Sequence, residues 1–140
     1  MLRVVIDTNI LLVSVSRKSP FHWVFESIIN NKIEICVTTE ILLEYEEIIS
    51  RHMSSEIAES VLDTIQNTKN VIEVKNYFSW NLIPKDSDDN KFADCAVWGN
   101  ADFLVTNDKD FGILKTLNFP FIKVLDLFAF QKILKEHQLL

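Results

Sequence analysis

The sequence predicts an α/β fold, a parallel sheet covered by helices. Short, branched apolar runs alternate along the chain with longer segments of helical period, the pattern of strands joined by helical crossovers. The first run, Val4-Val5-Ile6, is apolar without interruption, as suits a strand buried on both faces. Two Gly and three Pro in 140 residues leave little room for long loops or a glycine-rich phosphate cradle. No GxGxxG and no GxxxxGK[ST] occurs, which weighs against dinucleotide binding and P-loop chemistry. A 48 % apolar content with ten Phe supports one domain, residues 1–140, with a sizeable core.

The first strand ends at Asp7. In open α/β sheets ligands bind outside the carboxyl ends of the strands. Asp7 is therefore either the floor of a site or, with Thr8 and Asn9, a cap for a helix from Ile10 to Val15. Ser14 to Pro20, with Arg17-Lys18, reads as a loop. Phe21 to Asn31 carries Phe21, Val24, Phe25, Ile28 and Ile29 at the spacing of an amphipathic helix. Ile33 to Val37 is a strand, and Thr38-Thr39 caps a helix from Glu40 to Met53. On that helix Ile41, Leu42, Tyr45, Ile48 and Ile49 make the core face. Glu44 and Glu46 border its opposite edges, each about 100° from the centre, so the helical wheel does not choose between them. A solvated acidic face is the plain alternative.

Ser54 to Thr68 is a further helix with regularly spaced Ile57, Ala58, Val61, Leu62 and Ile65, and Val71 to Val74 is a strand. Tyr77 to Ile83 is apolar but irregular, and Pro84 to Ser87 is a loop. The stretch from Asp88 to Trp98 starts acid-rich and ends near Gly99-Asn100, as a helix does. Asp88 is the natural cap. Phe92, Ala93 and Ala96 face the core with Asp89 on their side, while Asp94 points roughly 130° away. Burying a carboxylate unpaired is expensive, so a metal or a base should meet Asp89. Phe103-Leu104-Val105 followed by Thr106-Asn107-Asp108 repeats the arrangement at Asp7, a buried strand with a carboxylate where it ends. Phe121 to Val124 and Leu127 to His137 close the chain as strand and helix.

Cys36 and Cys95 lie in apolar contexts without metal spacing and read as buried, reduced thiols. No apolar run approaches membrane-spanning length and no signal peptide is visible, so a cytoplasmic protein is expected. The formal charge of −6, from 20 acids against 14 bases, argues against nucleic acid if taken alone. It does not do so if several acids share a site that holds divalent cations. Carboxylates packed together repel one another unless cations neutralise them. Oxygen ligands without nearby Cys or His select Mg²⁺ or Mn²⁺ over zinc. Such ions activate water and polarise phosphoryl oxygens, so hydrolysis of a phosphodiester is the natural chemistry.

Four motifs in this order resemble the PIN-domain family. They are Asp7-Thr8-Asn9 after a first strand, Glu44 within Thr38-Thr39-Glu40-Ile41-Leu42-Leu43-Glu44-Tyr45, Asp89-Asn90-Lys91-Phe92 opening a helix, and Thr106-Asn107-Asp108-Lys109-Asp110-Phe111. The likeness runs from Val4 to about Leu125 and is nearest to the VapC toxins of bacterial and archaeal toxin–antitoxin pairs. It implies a three-layer α/β/α fold with a five-stranded parallel sheet and a Mg²⁺- or Mn²⁺-dependent endoribonuclease. Asp7 would be the central metal ligand and Glu44, Asp89 and Asp108 the other catalytic acids, with Asn9 and Thr106 in support. Asp94 and Asp110 lie near enough to join or replace one of them. The implied partners are RNA, a cognate antitoxin and a second copy of the chain. Arg17, Lys18, Lys85, Lys91 and Lys109 are candidate phosphate contacts, and Phe21, Trp23 and Trp98 candidates for stacking or for a dimer contact. Two other readings stay open. One is a non-catalytic PIN-like module that binds RNA or protein. The other is a receiver-type signalling domain, which needs paired acids at the end of the first strand where only Asp7 stands.

Overall fold

Val4, Val5 and Ile6 are fully buried because their strand lies in the middle of the sheet. In the computed structural model, which describes residues 1–140, β1 (Arg3–Ile6) lies between β2 (Glu34–Val37) and β4 (Phe103–Val105). β3 (Val71–Glu73) and β5 (Val124–Leu125) form the edges, giving the order β3-β2-β1-β4-β5 with every neighbouring pair parallel. The chain leaves β1 toward β2 and β3, then returns to the other side of β1 as β4. The ends of β1 and β4 thus flank a topological switch point, the place where ligands bind in open α/β sheets. This order also differs from the 2-1-3-4-5 order of receiver domains, which removes that reading.

Six α-helices cover the sheet: α1 (Thr8–Ser14), α2 (His22–Ile29), α3 (Thr39–His52), α4 (Ser55–Asn67), α5 (Asn90–Trp98) and α6 (Leu127–Glu136). Right-handed crossovers put α1 to α4 on one face and α5 on the other, the three-layer α/β/α arrangement. Trp23 of α2 packs on Phe130 of α6 with ring centroids 5.7 Å apart, which ties the last helix to the first layer. Helix starts follow the sequence closely. Thr38 accepts from the Ile41 N–H (3.2 Å), Ser54 from Ile57 (3.1 Å) and Asp126 from Ala129 (2.8 Å). Cys36 and Cys95 are free and buried, and burial pushes the Cys36 thiol up to about 11. No helix is long and apolar enough to cross a membrane.

Two local expectations change. The last strand is Val124–Leu125 rather than 121–124, because β4 offers partners only at Leu104 and Val105 and leaves Phe121 exposed. The cap ahead of α5 is Asp86, which accepts from the Asp88 N–H at 3.0 Å, and not Asp88. A turn of 3₁₀ helix, Ser87–Asp89, precedes α5 and moves the cap two residues upstream. α5 ends at Trp98, at the Gly99-Asn100 stop expected, and Asn100 takes the left-handed conformation (φ 52°). Gly99 is required for space. A methyl group there would meet the Cys95 carbonyl oxygen and Val74 Cγ2 at 2.8 Å and Cys36 Sγ at 3.1 Å.

Candidate active site

Asp7 sits where β1 becomes α1. Its N–H donates to the Val105 carbonyl (3.0 Å), extending the β1–β4 pairing by one residue, and its carbonyl accepts from Ile10 and Leu11 to begin the helix. The backbone thus occupies the cap position, but the carboxylate forms no side-chain cap. Oδ2 accepts the Thr106 hydroxyl at 2.8 Å instead. Of the two sequence alternatives for this side chain, the structure excludes the cap. Thr106 Oγ1 also accepts from the Asp108 N–H at 3.0 Å, so one hydroxyl indexes both strand-end acids against each other. Burial raises the Asp7 pKa; the Thr106 hydroxyl and the Thr8 N–H oppose this, and the charges of Asp108 and Glu44 add to it.

Glu44 reaches the same place from α3. Tyr45 beside it is fully buried and donates its hydroxyl to the Ile6 carbonyl, fixing the helix over the end of β1. Glu44 Oε2 accepts the Thr8 hydroxyl, and Oε1 meets Lys91 Nζ at 2.7 Å. Glu46 is exposed on the other edge of α3, where it lines a cleft with Thr38, Leu42 and Leu62. Packing separates the two acids that the wheel left equivalent.

Asp89 stands at the start of α5 and forms no side-chain cap. Its Oδ2 is buried without a hydrogen-bond partner. Burial, then the charges of Asp86, Asp108, Asp7 and Asp110, push its pKa up to about 7. Carboxylate oxygens of Asp86, Asp89 and Asp110 lie within 4.8 Å of one another. Asp108 is exposed and caps the 3₁₀ helix Lys109–Thr116 through the Asp110 N–H (2.9 Å).

Asp7 thus feels the charges of Asp108 and Glu44, and Asp89 those of Asp108 and Asp7. Of the four expected acids only Asp89 belongs to the close group with Asp86 and Asp110. Asp86 falls in a stretch that reads as a loop, and the acid-rich run from Asp86 to Asp89 is the sequence signal that points to it. Asn9 is exposed and takes no part in these contacts. Asp94 stands apart: it is buried, contrary to the wheel, and accepts the Trp80 N–H at 2.9 Å. The segment before α5 folds back over that face of the helix, and Trp98 Nε1 donates to the Phe78 carbonyl there. Among the candidate cations, Lys91 is paired with Glu44, and Lys85 with Asp110 at 3.2 Å.

The fold has solved counterparts. VapBC2 from Rickettsia felis, bound to a DNA fragment from their promoter, matches with a TM-score of 0.62 at 19 % identity, over 89 % of this chain and 98 % of that one. DNA-bound VapBC from Salmonella typhimurium matches with a TM-score of 0.56 at 17 % identity, over 91 % and 99 %. No curated protein matches by sequence. The PIN domain profile matches residues 3–110, from the first strand through the last of the clustered acids. With that match spanning most of its length and all the acidic positions described, the chain belongs to the PIN domain family.

Proposed function

We propose that this protein is a Mg²⁺- or Mn²⁺-dependent endoribonuclease, the toxin of a toxin–antitoxin pair. The observation that carries the reading is the buried, unpartnered Oδ2 of Asp89 in a group of like charges at the ends of β1 and β4. Such a group favours a cation of matching hardness, and the all-oxygen donor set fits Mg²⁺ or Mn²⁺. A divalent ion here would neutralise the acids and polarise a phosphodiester toward attack by water.

The chain's own residues supply the positioning. Asp7, Glu44, Asp89 and Asp108 provide the carboxylates. Thr106 holds Asp7 with one side of its hydroxyl and the Asp108 backbone with the other. Thr8 holds Glu44. The substrate is RNA, and the partners are a cognate antitoxin, in line with the VapBC complexes of the same fold, and a second copy of the chain. The protein acts as a single domain in the cytoplasm.

The test is incubation of the purified protein with single-stranded RNAs and Mn²⁺, with and without chelator, beside Asp7→Asn. Cleavage that needs the ion and disappears in the variant is expected. Cleavage that survives in Asp7→Asn marks a contaminant. A folded protein inert across a broad RNA panel favours the non-catalytic binding module.

A further inference from the structure

Both Glu44 oxygens are engaged, Oε2 by the Thr8 hydroxyl and Oε1 by the Lys91 ammonium at 2.7 Å. The pair is withdrawn from water, with 15 % of the Lys91 side chain and 24 % of the Glu44 side chain exposed. The other ammonium beside the acids, on Lys85, meets Asp110 at 3.2 Å with its side chain 81 % exposed, a solvated contact of little energy. Asp7, Asp89 and Asp108 have no cationic partner. One acid of the four is thus already neutralised by the protein itself.

A divalent cation and an ammonium seek the same Glu44 oxygen, and two cations at that spacing repel. We propose that Lys91 is a resident competitor for Glu44: a divalent ion that draws on this carboxylate must first displace the Lys91 ammonium. The exchange has a route. Lys91 extends from the first turn of α5 on a flexible four-carbon stem. It also borders a cleft of about 360 Å³ that is lined by Glu40 and Asp88, which can receive the displaced charge. Lys91 in this role is a positioning residue that acts through Glu44, and it sets how tightly the site holds its ion. The inference rests on the cation-dependent reading above.

Calorimetric titration of the whole chain with Mn²⁺ tests it in the wild type, Lys91→Met, Glu44→Gln, the double variant and Asp7→Asn. Lys91→Met is expected to bind Mn²⁺ about tenfold more tightly, because Glu44 is released. Glu44→Gln is expected to weaken Mn²⁺ binding in both backgrounds, and by about tenfold more in Lys91→Met, where the carboxylate is free to serve the ion. In thermal unfolding, Mn²⁺ should raise the melting temperature of Lys91→Met by more than that of the wild type. Additive effects of the two substitutions, or Lys91→Met binding no tighter than wild type, overturn the proposal. If Lys91→Met does not fold, Lys91→Gln takes its place: tighter Mn²⁺ binding upholds the competition, and unchanged or weaker binding overturns it. Mn²⁺ binding that is lost in Asp7→Asn but indifferent to Lys91 removes Lys91's role and leaves the function standing. Absence of binding in every protein removes both.

Discussion

Glu44 and Asp89 carry the same functional group to the same crevice, yet their surroundings are opposite. Glu44 arrives with a hydroxyl on one oxygen and an ammonium on the other. Asp89 arrives with a buried oxygen that nothing meets and with four other acids acting on it. One side of the crevice is complete within the chain, and the other is stable only against the strength of the surrounding fold. The difference teaches that a group of carboxylates is not a uniform cage. The side left unsatisfied is where an added positive charge gains most, because it relieves both the lost hydration and the mutual repulsion.

Substitutions can break this contrast, and the largest effect belongs to Asp89. Asp89→Asn should lower cation-dependent RNA cleavage at least about 100-fold, comparable to removing one charge-stabilising group from an active site. It should also raise the melting temperature of the metal-free protein, since the repulsion disappears; a fluorogenic RNA and a thermal scan read the two effects. The pH dependence comes next. The Asp89 carboxyl has a pKa of about 7 in the folded chain, against an ordinary 3.8 unfolded. The folded state therefore holds the extra proton between these values, and the stability from this group is lost as pH rises through about 7. Metal-free protein should melt lower at pH 8 than at pH 5.5. The gap should shrink in Asp89→Asn and reverse with saturating Mn²⁺, which binds the ionised form.

Thr106 sits beneath both sides. Thr106→Val removes the donor to Asp7 and the acceptor for Asp108, and denaturant melts should show a loss of roughly 1–3 kcal/mol. The smallest effect is expected at Lys85. Its exposed pair with Asp110 should contribute less than about 0.5 kcal/mol, so Lys85→Ala should leave the denaturation midpoint nearly unchanged.

Much of this was legible in the sequence because it is local. The uninterrupted Val4-Val5-Ile6 run marks the central strand, and the Thr38 and Ser54 caps precede helices of clear period. Asp7 and Asp108 follow from the strand ends. The choice of Glu44 over Glu46 was not local. It depends on Thr8, 36 residues away, and on Lys91 of another layer. Asp94 departs from the helical wheel for a related reason. Its outward face on α5 is covered by the segment from Tyr77 to Trp80, which has no period from which its path can be read. Asp86 was missed because a single 3₁₀ turn shifts the cap, and nothing in a helical wheel describes that turn.

Gly99 follows the last residue of α5, a full helix length from Asp89. The Cys95 carbonyl, Val74 and Cys36 close around it so tightly that no side chain fits there. The helix that carries Asp89 at its start is therefore seated at its other end against β2 and the residue that follows β3. A single added carbon there should shift Asp89 without touching any of its neighbours.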